Sequence, residues 1–302
     1  MKPNCSTTIA GLKLKNPVLV SSGTFGYGDE ISDLCDVASL GAIVTKTITI
    51  RPKAGNPPPR IAEAASGVLN TIGLQNVGAA KFVGDKLPLL RKLNVPLIVS
   101  IAGHSEKEYL SVIEALSGEK GIAAIELNLS CPNLQEKIVC HDEKLIREVI
   151  KGARKRINIP LIAKLSPQLT DIAATALIAL QAGAQALSLV NTFPAMAIDV
   201  RTWKPKLSTV TGGLSGPAIK PLALRAVWEV YRRQRCQIIG GGGINSGEDA
   251  IEFLLAGAAA VSVGTASFID PNAAPRIARE IEEYMKRYKI KSIADMVGMV
   301  KS

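Results

Sequence analysis

Aromatic residues make up only 4% of the 302 residues, and the chain has two histidines and five cysteines. With so few rings the core must be built from Ala, Val, Ile and Leu, and a surface that stacks bases along a single strand of nucleic acid is not expected. His104 and His141 do not stand at metal-ligand spacing, and no Ser-His pair is spelled out, so triad hydrolysis is not indicated. Cys5, Cys35, Cys131, Cys140 and Cys236 include no C-x-x-C pair. This argues against a disulfide framework, against an iron-sulfur or zinc site on this chain, and for a reducing cytoplasm. No apolar run approaches the ~18 residues needed to cross a bilayer, and the N-terminus lacks a charged-then-apolar signal pattern. A soluble chain is expected.

What the sequence does have is ordinary hydrophobic content, 47%, and a formal charge of +10. The positive excess raises the question of an anionic ligand or nucleic acid. Its densest runs, Lys151 to Arg156 and Tyr231 to Arg235, fall at the ends of expected helices, where cations complement the helix dipole. A solvated helix end accounts for them, and no nucleic-acid partner is expected.

Residues 6 to 15 alternate around Gly11 and predict a short hairpin that plugs one end of the domain. From Asn16 a unit repeats: a short apolar strand ends in polar or glycine residues, and an amphipathic helical stretch follows. The strands are Val18 to Val20, Ala42 to Val44, Leu97 to Val99, a strand ending at Asn128, Leu161 to Ala163, Ala186 to Val190, Gln237 to Ile239 and Ala260 to Val263. Helices are expected near 30 to 39, 76 to 93, 106 to 117, 142 to 157, 171 to 182, 218 to 234, 247 to 256 and 272 to 288. This pattern predicts one α/β domain over 1 to 302, a (β/α)8 TIM barrel rather than an open doubly wound sheet. Two Gly/Pro-punctuated excursions, Ile48 to Asn70 and Phe193 to Gly216, leave from the C-terminal mouth as candidate lids or partner surfaces.

The polar strand ends then converge at that mouth. Gly240 to Gly243 and Gly264-Thr265 follow the seventh and eighth strands, the usual position of a phosphate cradle, although two tight turns without a ligand would look the same. Lys46 and Lys164 end the second and fifth strands and would face the barrel axis, where they could stabilise an anionic ring or carboxylate. Asn70, Asn128, Asn133 and Asn191 suit a small flat polar heterocycle, though singly each could be a turn former, as Asn76 and Asn245 are expected to be. Cys131, in Asn128-Leu-Ser-Cys-Pro-Asn133, is either an inert thiol in a turn or an acid/base. No Walker-type lysine follows the glycines, so a phosphate-anchored redox cofactor is the sharper expectation.

These residues occur in a set of motifs: Thr45-Lys46, Gly55-Asn-Pro-x-Pro-Arg60, Leu69-Asn-x-Ile-Gly-Leu-Gln-Asn76, Asn128-x-Ser-Cys-Pro-Asn133, Lys164-Leu-Ser-Pro167, Asn191-Thr192 and Thr211-Gly-Gly-Leu-Ser-Gly-Pro-Ala-Ile-Lys-Pro221. Together with Gly242-Gly243 and Val263-Gly264-Thr265 they resemble the dihydroorotate dehydrogenases over essentially the whole chain. The Cys in Ser-Cys-Pro-Asn, and a start only a few residues before the hairpin, are similar to the soluble class 1. The Gly-Leu-Gln-Asn and Gly-Gly-Leu-Ser-Gly-Pro wording is most similar to the class 1B catalytic subunit.

The resemblance implies oxidation of dihydroorotate to orotate in pyrimidine biosynthesis. It implies one FMN per chain, contacted by Ser22, Lys46, Thr47, Ser100, Asn128, Lys164 and Val190, with its phosphate on Gly242, Gly243, Gly264 and Thr265 and with Gly216 nearby. The substrate would be held by Lys46, Asn70, Thr71, Ile72, Gly73, Leu74, Asn128, Asn133, Asn191 and Thr192. Cys131 would remove the C5 proton while C6 gives a hydride to the flavin. A homodimer joined to an electron-transfer subunit, carrying FAD and a [2Fe-2S] cluster and passing electrons to NAD, is implied as a heterotetramer. The sequence departs from the family in a shorter, glycine-free loop from Leu134 to His141, and in Ser100, where class 1B members often have Asn. Alternatives are a dihydropyrimidine dehydrogenase-like flavin barrel, class 1A-type use of fumarate, a tRNA-modifying flavin reductase and a non-catalytic phosphate-binding scaffold.

Overall fold

The structure, a computed structural model, describes residues 3–130 and 139–301. Eight parallel strands close into a barrel in chain order: Val18–Val20, Ala42–Val44, Leu97–Ile101, Ala124–Asn128, Leu161–Lys164, Ala186–Leu189, Ile238–Gly241 and Ala260–Val263, the last pairing with the first. The (β/α)8 expectation holds.

Period-two alternation sorts each strand into two faces. Val18, Val20, Ile43, Leu97, Val99, Ile125, Leu127 and their counterparts face outward into one large buried cluster with the helices. Leu19, Ala42, Ile98, Ala124, Ile162, Ala186, Ile239 and Ala260 face inward and form a second cluster. Within it, alternate strands supply small Ala42, Ala124, Ala186 and Ala260, while the others supply Leu19, Ile98, Ile162 and Ile239. This is the layered filling expected of such a barrel. The alanines leave room for the N-terminal hairpin, Thr7–Ile9 paired with Leu12–Leu14, whose Ile9, Ala10 and Leu14 complete the inner cluster. Burial of Ile9 contributes about 1.5–3 kcal/mol. Hydrogen bonds from Thr7 Oγ1 to the Ala259 carbonyl (2.8 Å) and from Ala10 N to Gln237 Oε1 (2.6 Å) fix the plug.

Two steps further along, the inward positions of several strands turn polar, at Ser100, Glu126, Lys164, Ser188 and Ser262, with Asn128 beyond them. The barrel is thus apolar at its plugged end and polar at its mouth.

The helices Glu106–Leu116, Glu143–Arg154, Ile172–Ala182, Lys220–Gln234, Gly247–Ala256 and Ala273–Arg287 match the expected stretches within a few residues. Asp142 caps the second of these through Leu145 N, and Ser246 forms a capping box with Asp249. Two expected helices differ. Residues 30–39 form turns and a 3-10 segment, Val37–Ser39. There Ser32 and Ser39 donate to the carbonyls of Asp29 and Asp36, local bonds that compete with a helical ladder. Residues 76–93 are broken into Ala79–Lys81, a π turn over Phe82–Lys86, Leu87–Leu90 and the 3-10 segment Arg91–Leu93. Pro88 has no N–H to give to residue 84, and the widened turn before it accommodates the loss.

The two excursions are joined. Ile61–Ala64, Gly67–Asn70, Thr211–Ser215 and Phe193–Met196 make one antiparallel four-stranded sheet, in which Gly67–Asn70 lies between Ile61–Ala64 and Thr211–Ser215. The sheet forms one wall beside the mouth instead of two independent lids.

Candidate active site

A cavity of about 300 Å³ lies at the mouth. Barrel strand ends make its floor, through Ser188, Gly241 and Ser262, and the outer sheet makes a wall through Ile61, Val68, Asn70 and Ser215. Its described lining includes two lysines and no carboxylate. An anionic occupant is favoured by charge.

One side is a backbone cradle. Gly242 and Gly243 have φ values of 128° and 82°, a region that side chains rarely adopt. A Cβ on Gly243 would stand 2.8 Å from Lys220 N and 2.9 Å from the Gly216 carbonyl. A Cβ on Gly264 would meet only Ser21 and Thr24, at 3.4 Å and beyond, so protein packing does not demand glycine there. The open space belongs to the cavity. The N–H groups of Gly242, Gly243, Gly264 and Thr265 make no hydrogen bond within the described residues. Convergent free N–H groups in a glycine loop fit a phosphate. The loop is held from behind: Asp249 Oδ2 accepts from Asn245 N (2.9 Å) and Ser246 N (3.0 Å), and Lys220 Nζ bonds Asp249 Oδ1 (2.7 Å) and Glu252 Oε1 (2.9 Å).

The cations stand deeper. Lys164 is buried, and its Nζ donates to Ser22 Oγ at 3.2 Å. Lys46 is half-buried and makes no side-chain hydrogen bond among the described residues. Burial pushes its ammonium below the usual lysine range; Glu30 opposes the shift and Arg60 adds to it. The backbone of Lys46 is fixed by donation to the Gly26 carbonyl (2.8 Å). Gly26 belongs to a loop clamped by Lys86, whose Nζ reaches Asp29 at 2.7 Å and Glu30 at 3.1 Å.

The carboxamides arrive from separate elements. Asn128 ends the fourth barrel strand. Asn191 follows the sixth, its Nδ2 donating to Ser130 Oγ at 2.9 Å. Asn70 ends a strand of the outer sheet, its Nδ2 donating to the Gly213 carbonyl at 3.2 Å. After Asn70 the chain turns through Gly73 (φ 72°) and Leu74 (φ 55°), which sets Ile72 and Leu74 on the cavity wall. A Cβ on Gly73 would press on Asn56 N at 2.6 Å, so this turn needs glycine.

Of the residues singled out in the sequence, Ser22, Lys46, Thr47, Asn70, Ile72, Leu74, Asn128, Lys164, Val190, Asn191, Thr192, Gly216, Gly242, Gly243, Gly264 and Thr265 line this one cavity. Thr71, Gly73 and Ser100 stand behind the lining. Thr71 bonds Asn56 and Thr209. Ser100 is buried one layer down, with its Oγ 2.9 Å from both Thr47 Oγ1 and Glu126 Oε1. Cys131, Asn133 and the loop from Leu134 to Ile138 lie outside the described residues. Asn76 is the structural residue expected, its Oδ1 accepting from Thr49 N and Gly78 N. His104 is a loop residue, with its Nε2 2.8 Å from Lys53 Nζ. The sequence reading passed over Ser21, Thr24, Gln75, Ser188, Ser262 and Phe268, which also line the cavity. Period-two counting back from the strand ends would have found Ser188 and Ser262.

The dihydroorotate dehydrogenase family profile matches residues 4–285. The chain is 54% identical over 298 residues, 99% of this chain and 97% of the relative, to "Dihydroorotate dehydrogenase B (NAD(+)), catalytic subunit" of Endomicrobium trichonymphae. It is 49% identical over 299 residues, 98% of each chain, to the protein of the same name from Geobacter sulfurreducens. The fold is also that of a dihydroorotate dehydrogenase from Eimeria tenella solved in complex with ferulenol, with TM-score 0.83 and 24% identity over 98% of this chain and 88% of that one. With a full-length family match and relatives near half identity, the chain belongs to the dihydroorotate dehydrogenase family.

Proposed function

We propose that this chain is the catalytic subunit of a class 1B, NAD-linked dihydroorotate dehydrogenase, which oxidises dihydroorotate to orotate in pyrimidine biosynthesis. The observation that carries the reading is the pairing, in one cavity whose described lining has no carboxylate, of the half-buried ammonium of Lys46 with a cradle of N–H groups at Gly242, Gly243, Gly264 and Thr265, all of them without a hydrogen-bond partner among the described residues. The cradle fits the phosphate of FMN, and the ammonium fits the carboxylate that separates dihydroorotate from neutral dihydropyrimidines.

In this reading Gly216, Gly242, Gly243, Gly264 and Thr265 hold the phosphate, and Ser22, Lys46, Thr47, Asn128, Lys164 and Val190 line the ring and ribityl parts, with Ser100 supporting them from below. Bound there, the flavin supplies a two-electron acceptor. Lys46, Asn70, Thr71 to Leu74, Asn128, Asn133, Asn191 and Thr192 orient the substrate ring and its carboxylate. Cys131 takes the C5 proton, and a thiol of ordinary pKa, about 8.5, makes activity rise with pH toward that value.

The phrase "catalytic subunit" in the names of the relatives supports a partner subunit. That partner would carry FAD and a [2Fe-2S] cluster and join a homodimer of this chain in a cytoplasmic heterotetramer. No helix among the described residues is long and apolar enough to cross a membrane.

Anaerobic titration of the flavin-loaded protein with dihydroorotate and with dihydrouracil tests the reading. Reduction by dihydroorotate alone is expected. Reduction by dihydrouracil with equal efficiency would point to a dihydropyrimidine enzyme instead.

A further inference from the structure

Below the cavity floor a buried carboxylate starts a hydrogen-bonded chain that ends on the ligand-facing carboxamides. Glu126, on the fourth barrel strand, is 2% exposed and does not line the cavity. Its Oε1 accepts from Ser100 Oγ at 2.9 Å. Ser100 Oγ lies 2.9 Å from Thr47 Oγ1, and Asn128 Nδ2 lies 3.2 Å from the same Thr47 oxygen. Ser130 Oγ stands 3.1 Å from Asn128 Oδ1, and Asn191 Nδ2 stands 2.9 Å from Ser130 Oγ. Thr192 N donates to Asn191 Oδ1 at 2.8 Å.

The direction of every bond follows from the two ends. Ser100 Oγ donates to Glu126 Oε1, which uses the single Ser100 proton. Ser100 then accepts from Thr47, whose own proton is thereby used. Thr47 can only accept from Asn128, which turns Nδ2 toward it and leaves Oδ1 toward Ser130. Ser130 spends its proton on Asn128 Oδ1 and accepts from Asn191 Nδ2, so Asn191 Oδ1 faces Thr192. A backbone N–H only donates, so Thr192 N and the Ser130 carbonyl set the Asn191 amide independently, while the Asn128 amide takes its direction from the Glu126 end. No hydroxyl or amide in the chain is free to reverse.

We propose that Glu126 is a positioning residue: as the acceptor that terminates this chain, it fixes which edge of the Asn128 carboxamide is turned to the substrate ring. The second N–H of Asn128 and a second lone pair on each amide oxygen remain for the ligand, whereas Asn191 Nδ2 also lies 3.3 Å from the Ser130 carbonyl. Tyr109, fully buried, donates to the Asn128 carbonyl at 2.8 Å and holds the backbone that carries the amide. Without an acceptor at position 126 the Ser100 and Thr47 protons can reverse, and the Asn128 amide loses its single orientation. The assignment of the amides to substrate rests on the function proposed above; the direction of the chain does not.

Two measurements test this. Neutron diffraction from deuterated holoenzyme crystals should show the Ser100 deuterium directed at Glu126 Oε1 and the Thr47 deuterium directed at Ser100. The reverse order, or a protonated Glu126 donating to Ser100, overturns the proposal. In solution, orotate binding to the holoenzyme is followed through the absorbance of the bound flavin. Glu126→Met, which removes the acceptor, should weaken orotate about tenfold, one lost orienting bond. Glu126→Gln, which keeps a carbonyl acceptor, should stay within about threefold of the parent. A role resting on charge or packing would move both variants together, and that result overturns the proposal. Should the Met variant not fold, Thr47→Val and Thr47→Ser make the same comparison: loss with Val and retention with Ser support the chain, and equal behaviour contradicts it. A parent protein that binds no orotate would sink the functional reading, while the neutron result would still decide the direction of the chain.

Discussion

Lys46 is the residue whose environment says most about substrate choice. Its ammonium is half-buried, without a side-chain hydrogen-bond partner among the described residues, and depressed in pKa by desolvation. A ligand carboxylate would supply the missing counter-charge. Lys46→Met should therefore weaken orotate by about 10- to 100-fold, the equivalent of ~1.5–3 kcal/mol for a hydrogen bond to a charged group, measured by titration of the bound flavin. The pH dependence follows from the same shift. Because the folded pKa lies below the usual 10.5, Lys46 loses its proton earlier than a solvated lysine, and orotate affinity should fall as pH rises through that lowered value. Cys131→Ala should leave flavin bound but abolish reduction by dihydroorotate in a rapid-mixing assay; unchanged reduction would remove Cys131 from the role of base.

At the scale of elements, two loops set the site. The loop after the first barrel strand is anchored by Glu30, whose pKa is about 2 against an ordinary 4.5. Burial alone would raise it, but donation from Tyr27 N at 2.9 Å and the Lys86 ammonium at 3.1 Å outweigh that effect. A depressed carboxylate stabilises the fold above its unfolded pKa, and that contribution is lost as pH falls from about 4.5 toward 2. Glu30→Gln should thus lower the melting temperature at neutral pH and leave it unchanged near the acid limit. In the glycine loop, Gly243→Ala must hold a side chain at φ 82° within 2.8 Å of Lys220 N. Flavin binding should weaken by about tenfold or more, from ~1–2 kcal/mol of backbone strain, read as the flavin retained after gel filtration. The sequence made the barrel strands and six of the helices legible because their alternation and caps are local signals. It did not show that the excursions ending at Asn70 and beginning at Phe193 pair into one sheet, since cross-chain register is a non-local property. Nor could it place Ser100 beneath the cavity, because that depends on the bonds it makes to Thr47 and Glu126.

For the molecule as a whole, the plugged apolar end and the polar mouth divide stability from chemistry along one axis. Ile9, Ala10 and Leu14 complete the apolar inner core, while Ser188, Gly241 and Ser262 give the cavity a polar floor. The eight strand ends of the closed barrel bring together lysines, carboxamides and glycine N–H groups that are scattered from Ser22 to Thr265 in sequence. The absorbance spectrum of the purified, flavin-loaded chain, recorded without oxygen before and after dihydroorotate is added, tests the account most directly. A visible flavin band that bleaches on addition is the result predicted. A colourless protein, or a flavin band that dihydroorotate leaves unchanged, would contradict it.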